Sequence, residues 1–235
     1  MTSPGPGRRV PSVSALTRFW EDDKGLSVFL VLLLFVAFVL PPLVPPGGGR
    51  RLAGDITYAV LLISGVRALG ERRLTRVFLM PVALVTLAVY LASGILPVGE
   101  VWVLATTLVS LILFLVVVLG QTLRKGPITY HRLQGAVAAY LLLGVIWAHA
   151  YALVAALRPE AFAGPVSAAD GARAFYYFSF VTLATLGYGD VLPVHPAARS
   201  LATLEAVTGT LYLAILIARL VSLAKAPDRE GDPDA

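Results

Sequence analysis

Two glycines flank a tyrosine in residues 182–190, which read TLATLGYGD. Glycine has no Cβ, so Gly187 and Gly189 can adopt positive φ angles at alternate positions, and successive backbone carbonyls can then turn to the same side. Carbonyl oxygens are ligands for hard cations. A single strand offers too few of them around any one point, so a cation site of this kind requires several copies of the chain around an axis.

The residues before the motif must hold this strand, and they form a short apolar segment. Residues 174–184 read AFYYFSFVTLA, which is only eleven residues. A helix needs about 20 residues to cross the hydrocarbon core of a bilayer. Non-helical backbone at membrane depth is tolerated only where protein buries it or where it lines water. We therefore expect a re-entrant helix that ends near mid-membrane and returns through TLGYGD.

The composition is that of an integral membrane protein. Of 235 residues, 57% are hydrophobic and 14% charged, and the mean hydropathy is +0.80. These values lie outside the range of ordinary soluble domains. The length leaves room for six spans, and the expected fold is an all-α membrane protein with six transmembrane helices, at residues 26–44, 52–69, 77–96, 101–119, 133–157 and 197–224.

Charge distribution and residue content argue against two other classes of protein, nucleic-acid-binding proteins and enzymes. The net charge of +5 comes from Lys and Arg at the ends of apolar segments, a pattern that orients helices in a bilayer rather than binding nucleic acid. The sequence has no cysteine, which excludes a thiolate metal site and a cysteine nucleophile. We expect no enzyme, because no nucleophile–base constellation or metal-spaced cluster is present.

The basic residues also predict the orientation of the spans. With six spans, residues 1–25, the Arg-rich segment 67–76, the linker 121–132 and the tail 225–235 fall on one side. Cytoplasmic loops are enriched in Lys and Arg, so this side is expected to be the cytoplasm of a cell-membrane protein, with both termini inside. Arg50 and Arg51 fall on the other side and go against the rule.

TLATLGYGD resembles the selectivity filter of potassium channels, whose usual form is T-x-T-T-V-G-Y-G-D, and the likeness covers residues 133–225. The resemblance implies a homotetramer in membrane lipid that conducts K⁺ passively, with K⁺ as the permeant ion and no cofactor. An isolated GYG is commonly a tight turn. Its place between a half-membrane helix and a full span favours the filter.

The resemblance also implies roles for individual residues. The ion-coordinating strand would be residues 185–189, with K⁺ at Thr185, Leu186, Gly187 and Tyr188, Gly189 completing the strand, and Asp190 at the outer mouth. Leu186 replaces the usual valine and Ala184 the first of two threonines. Leu186 still contributes a carbonyl, so selectivity should survive, while its larger side chain can change filter stability.

Two residues are expected to support the filter. Val181 stands where some family members have a glutamate paired with the aspartate after GYG, so Tyr177 is the expected partner of Asp190. Glu205 lies deep in the last span and is a functional candidate by default. It either hydrogen-bonds behind the re-entrant helix or faces the axis. The first arrangement is favoured because four axial charges would be costly.

The last span also contains the expected gate, in register with the family. Gly209 is either a hinge or a site of close helix packing, and Thr210 is expected to face a wet cavity. Leu213, Ile217 and Val221 follow at helical spacing and would form an apolar ring that closes by dewetting.

The first four spans, residues 26–120, do not resemble a voltage sensor. A sensor needs several Arg or Lys residues at three-residue spacing in one span, and the fourth span has none.

Two alternatives stay open: a weakly selective cation channel, and a non-conducting membrane protein whose four-helix region binds partners or lipid.

Overall fold

The computed structural model describes residues 99–122, 130–166 and 172–224, together with residues 27, 29–39, 43, 81, 84–89 and 92. The expected second span, both tails and most of the cytoplasmic linker lie outside the described residues, as do parts of the first and third spans. Within the described part, the chain is mostly helical.

Five longer helices are described, and residues 84–89, within the expected third span, are also helical. Three of the five have stretches long and apolar enough to cross a membrane, at Glu100–Gly120, Arg132–Leu157 and Pro196–Ser222, and these coincide with the expected fourth, fifth and last spans. The helices are α1 (Phe29–Val39, ending in a π-helical turn at Phe35–Val39), α2 (Glu100–Thr122), α3 (Tyr130–Leu157), α4 (Ala172–Leu183) and α5 (Pro196–Ala224).

Two short strands and one 3₁₀ turn lie between the long helices. The turn Pro159–Ala161 follows α3 and leads into β1 (Phe162–Ala163), which pairs antiparallel with β2 (Leu192–Pro193) just before α5. α5 begins with Pro196, whose missing N–H costs nothing in the first turn of a helix. The Ala197 N–H donates to His195 Nδ1 at 3.2 Å, so the histidine caps this helix.

The main core lies between α2 and α3. Ala138 and Ala139 are fully buried there, and their small side chains let the two helices approach closely. α1 packs on the same core, because Phe29 and Leu33 are 1% and 0% exposed. The Phe29 ring lies 5.1 Å from that of Phe114 on α2.

Close contacts at two glycines seat α4 between α3 and α5. A Cβ at Gly144 on α3 would lie 2.6 Å from the Phe180 ring, and a Cβ at Gly209 on α5 would lie 2.6 Å from the Leu183 carbonyl oxygen. Any larger residue would push α4 away. The short helix, which begins two residues before the expected segment and ends one residue earlier, is therefore held on both sides.

Candidate ion-binding strand

Residues 184–189 leave the end of α4 with alternating backbone conformation. Thr185, Gly187 and Gly189 have φ angles of 58°, 60° and 77°. Leu186 and Tyr188, which lie between them, do not have positive φ. Glycine accepts such angles freely, and alternation of this kind lets consecutive carbonyls turn to one side.

Thr185 adds a third member to this alternation that the glycine pattern did not predict. Among the described residues it is the one non-glycine residue with positive φ. A β-branched residue pays roughly 1–2 kcal/mol for this conformation. The available sequence signal was its position two residues before Gly187, which continues the spacing of the two glycines.

Hydrogen bonds fix where the strand departs from the helix. The Val181 carbonyl accepts the N–H groups of Leu186 at 2.8 Å and Gly187 at 3.4 Å. The Thr185 N–H donates to the Thr182 carbonyl at 3.0 Å. These bonds use carbonyls that the end of a helix otherwise leaves without a partner. The helix end, with its partial negative charge, lies directly at the base of the strand.

At the other end of the strand, Tyr177 on α4 contacts the residues that follow the glycines. Its hydroxyl is hydrogen-bonded to the Asp190 carboxylate, which raises the pKa of Tyr177. Its ring stacks on that of Tyr188 with centroids 6.4 Å apart and planes 8° from parallel. The Val191 N–H also donates to the Asp190 carboxylate, at 3.1 Å. Tyr177 thus contacts both Tyr188 and Asp190 in this structure.

Glu205 lies in a fully buried cluster behind α4. Its side chain is 0% exposed, and it accepts a short hydrogen bond from the Tyr151 hydroxyl on α3. Its other carboxyl oxygen lies 2.5 Å from Ser179 Oγ on α4. Ser179 Oγ also lies 2.8 Å from the Gly144 carbonyl oxygen. These contacts correspond to the expected arrangement in which Glu205 hydrogen-bonds behind the re-entrant helix, and not to the one in which it faces the axis.

Sequence reasoning did not single out Tyr151 and Ser179. Both are 0% exposed, and a buried hydroxyl requires a partner. The signal that was present is Ser179 itself, a polar residue inside the aromatic run FYYFSF. Nothing in the sequence paired it with a carboxylate 26 residues later.

The predicted gate residues share a largely exposed side of α5. Leu213, Ile217 and Val221 recur every four residues and are 41%, 59% and 47% exposed. Thr210 lies one turn earlier, and its hydroxyl donates to the Ala206 carbonyl of its own helix at 2.9 Å. Gly209 makes the close contact with Leu183 described above, which corresponds to the expectation of close helix packing at this glycine. This contact does not test a hinge.

The described histidines have structural hydrogen bonds. His149 Nδ1 lies 2.8 Å from the Val145 carbonyl oxygen of its own helix, and His195 caps α5. The side chain of His131 lies outside the described residues. No group of three or more His, Cys, Asp or Glu side chains that can hold a metal occurs among the residues the structure describes.

Comparison with known proteins finds a family model that covers the part of the chain that carries this strand. A family model described as an ion channel matches residues 138–226, from within α3 to just beyond α5. The chain is 50% identical over 40 residues to the inward rectifier potassium channel Kirbac3.1 of Paramagnetospirillum magnetotacticum, covering 17% of this chain and 14% of that protein.

A second similarity covers more of the chain. Potassium voltage-gated channel subfamily A member 10 of mouse is 32% identical over 106 residues, which is 45% of this chain and 19% of that protein, and the human protein gives the same values. The chain therefore spans less than one fifth of the length of these relatives. No solved structure matches the chain significantly.

These similarities support an ion channel of the potassium channel family rather than an enzyme. Together with the apolar helices, they indicate a membrane protein.

Proposed function

We propose that the chain is one subunit of a homotetrameric, potassium-selective channel that conducts K⁺ passively across the cell membrane. Residues 185–189 form its filter, with K⁺ coordinated at Thr185, Leu186, Gly187 and Tyr188 and with Asp190 at the outer mouth. The observation that carries this proposal is the alternation of positive φ at residues 185, 187 and 189. It gives carbonyl ligands for a hard cation without any side-chain charge.

Exposed side chains support the tetramer. Leu186 and Tyr188 are 58% and 67% exposed in the single chain, although a filter strand needs both braced from behind. Much of α5 is equally open, with Leu204, Val207 and Leu211 each about half exposed. In lipid, helices associate through close packing of their side chains rather than through removal of apolar surface from water, and four copies around an axis would complete the carbonyl cage.

The proposed domain organisation follows the expected spans. Residues 133–224 form the pore domain, with α3 as outer helix, α4 as re-entrant pore helix and α5 as inner helix. Residues 26–120 form a four-helix membrane region that is not a voltage sensor, residues 121–132 a cytoplasmic linker, and residues 1–25 and 225–235 cytoplasmic tails. Thr210, Leu213, Ile217 and Val221 line the cavity and gate, and Gly209 packs against the pore helix.

Tyr177 and Glu205 support the filter in this proposal. Tyr177 bonds Asp190 at the outer end of the strand. Glu205 bonds Ser179 in the middle of the pore helix. In this proposal Tyr177 restrains the outer end of the strand, and Glu205 restrains the helix that carries it.

The decisive experiment is the reversal potential of the purified protein in planar bilayers under opposing K⁺ and Na⁺ gradients. A tenfold K⁺ gradient corresponds to about 59 mV for a K⁺-selective pore. We expect reversal near that value, and loss of selectivity in Gly187→Ala, because alanine disfavours a φ of 60°. The matched control is Gly120→Ala on α2, where an added Cβ meets no atom within 4 Å.

Each other outcome identifies a competing function. Reversal near zero in the parent protein would indicate a weakly selective cation channel. Absence of current under every gradient and voltage, from protein that is tetrameric in detergent, would favour a non-conducting membrane protein. Equal selectivity of Gly187→Ala and Gly120→Ala would remove residues 185–189 from the conduction path.

A further inference from the structure

A short segment between α3 and α4 lies against the residues that follow the filter strand. We call residues 159–164 the outer strap; it comprises the 3₁₀ turn Pro159–Ala161, the strand β1 and Gly164. β1 pairs with β2, so that Phe162 lies opposite Pro193 and Ala163 opposite Leu192. The strap therefore runs alongside the chain that leaves Asp190.

Backbone hydrogen bonds continue this pairing beyond the two strands. The Ala161 carbonyl accepts the N–H groups of Val194 at 2.9 Å and His195 at 3.2 Å. Pro193 has no N–H to donate, and its position opposite Phe162 is compatible with the ladder because the bond falls at the neighbouring pair. From the other side, Arg199 Nε on α5 donates to the Pro193 carbonyl at 3.1 Å.

Gly164 makes the closest approach in the strap. It has a φ of 111°, and an added Cβ would overlap the Asp190 carbonyl oxygen. The same Cβ would lie 3.1 Å from the Asp190 carbonyl carbon and 3.2 Å from Val191 Cα. All three atoms belong to backbone and cannot rotate away. Only glycine combines this φ with this separation.

The strap is anchored by Phe162, whose ring enters the aromatic cluster behind the filter. Its centroid lies 4.9 Å from that of Phe175 and 5.8 Å from that of Phe178, both on α4. It also lies 5.7 Å from the ring of Tyr151, the partner of Glu205. Edge-to-face pairs of this kind stabilise beyond their buried area. The strap thus contacts both the pore helix, through Phe162, and the main chain of Asp190, through Gly164.

We infer that the outer strap sets the position of the outer end of the filter, with Gly164 as the positioning residue that fixes the Asp190 peptide. This inference rests on the proposed function for its effect on K⁺. The strap holds the Asp190 main chain while Tyr177 holds its side chain. Displacing the strap removes its contact with the Asp190 main chain and leaves the carboxylate bond to Tyr177 in place.

The first test is hydrogen exchange of the purified full-length protein, which does not depend on current. Gly164→Ala is compared with Gly120→Ala, the same substitution where the new Cβ meets nothing within 4 Å. We expect exchange in residues 186–195 to rise at least about tenfold in Gly164→Ala, because strain of this kind favours the opened state. Exchange within α2 should not change. Equal exchange of residues 186–195 in the two variants would overturn the inference.

The second test uses the absence of cysteine in the natural sequence. Opposed residues in an antiparallel pair lie about 4.5–5.5 Å apart at Cα, within the range that a disulfide spans. The double variant Ala163→Cys, Leu192→Cys should therefore form one disulfide on oxidation, with its two thiol hydrogens transferred to the added oxidant. This variant keeps Gly164 and does not depend on the folding of Gly164→Ala.

In bilayers, the reversal potential of the oxidised double variant should follow the K⁺ equilibrium potential as external K⁺ is lowered, whereas that of Gly164→Ala should stay closer to zero under the same conditions. A role of the strap in folding alone would lower the number of channels without moving the reversal potential. Loss of selectivity on oxidation, reversed by dithiothreitol, would mean that the pairing of Ala163 with Leu192 is not the one in the working channel, and it would overturn the inference. A parent protein without K⁺ selectivity would refute the proposed function, while the exchange result would still decide whether the strap positions residues 186–195.

Discussion

Replacing Glu205 with glutamine should preserve the protein, whereas replacing it with alanine should damage it. Tyr151 and Ser179 bring one hydroxyl proton each, while both Glu205 oxygens and the Gly144 carbonyl lie within reach as acceptors. A neutral carboxyl group supplies the third proton, since it can donate to Ser179 Oγ while Ser179 donates to Gly144. The amide of glutamine reproduces this pattern without a charge.

The expected magnitude follows from the burial of the cluster. Alanine leaves the Tyr151 hydroxyl, which is 0% exposed, without its acceptor, at a cost of about 1–3 kcal/mol. The cavity left by the missing carboxyl and methylene groups brings the total to about 3–5 kcal/mol. For a chain of this length each kcal/mol shifts the melting temperature by roughly 2–4 °C. Glu205→Ala should thus melt about 6–20 °C lower.

The assay is thermal unfolding in detergent with K⁺ present, followed by reversal potentials for each variant that survives. Glu205→Gln should melt within about 3 °C of the parent, a shift of order 1 kcal/mol, and should keep its reversal potential. Glu100→Ala, at the exposed start of α2, is the matched control for loss of a carboxylate. The reasoning is refuted if Glu205→Gln falls as far as Glu205→Ala, because a charge and not a hydrogen-bond pattern would then be required.

Three further predictions concern other contacts. The bond to Asp190 raises the pKa of Tyr177 above its ordinary 10.0, so this restraint is complete below about pH 10 and is lost as pH rises through the higher folded value. K⁺ selectivity measured by reversal potential should then be constant from about pH 6 to 9 and decline above pH 10, and Tyr177→Phe should lack this step. Gly209→Ala should lower the melting temperature by about 2–8 °C, because overpacking against α4 outweighs the gain in helix propensity. Phe38→Ala removes a ring contact with Phe180 at 4.8 Å and should destabilise by about 1 kcal/mol in the same melt.

Controls for these predictions come from the same helices. Gly120→Ala makes the substitution of Gly209→Ala in open space and should be neutral or slightly stabilising. Val31→Ala changes a side chain of α1 that is 64% exposed and should cost less than Phe38→Ala. A decline in selectivity above pH 10 that persists in Tyr177→Phe would assign the pH step to another group. An unchanged melt of Gly209→Ala would mean that α4 can move away from α5.

The sequence predicted the long helices and the conformation of the glycines because both depend on local properties. Uninterrupted apolar runs predict α2, α3 and α5 by length alone. Residues 187 and 189 have the positive φ angles that the two glycines suggested. The Tyr177–Asp190 contact was within reach because the residues are 13 positions apart and because Val181, in place of a glutamate, left a tyrosine of α4 as the candidate donor.

Contacts between segments that are far apart in the chain could not be predicted from the sequence. Glu205 was identified as buried, but its partner Tyr151 is 54 residues away on another helix, and periodicity carries no information on which helices meet. The strands β1 and β2 contain two residues each, too few for an alternating pattern. The role of Gly164 could not be predicted from the sequence, because the need for a residue without a Cβ there arises from Asp190, 26 positions later, and not from a local turn.

The packing of α1 has a consequence for how the chain is made. Phe29 and Leu33 are buried among residues of α2 and α3, and Gln134 Nε2 donates to Ser27 Oγ at 2.8 Å across 107 positions. At synthesis rates of about 5–20 residues per second, the first helix waits roughly 5–20 s for that partner to leave the ribosome. In the proposed organisation α1 is the first membrane span, so its future contact face would lie in lipid during this interval. Biogenesis of such a channel would then place a demand on α1 that the finished protein does not, namely sufficient apolar surface on every side to be inserted alone.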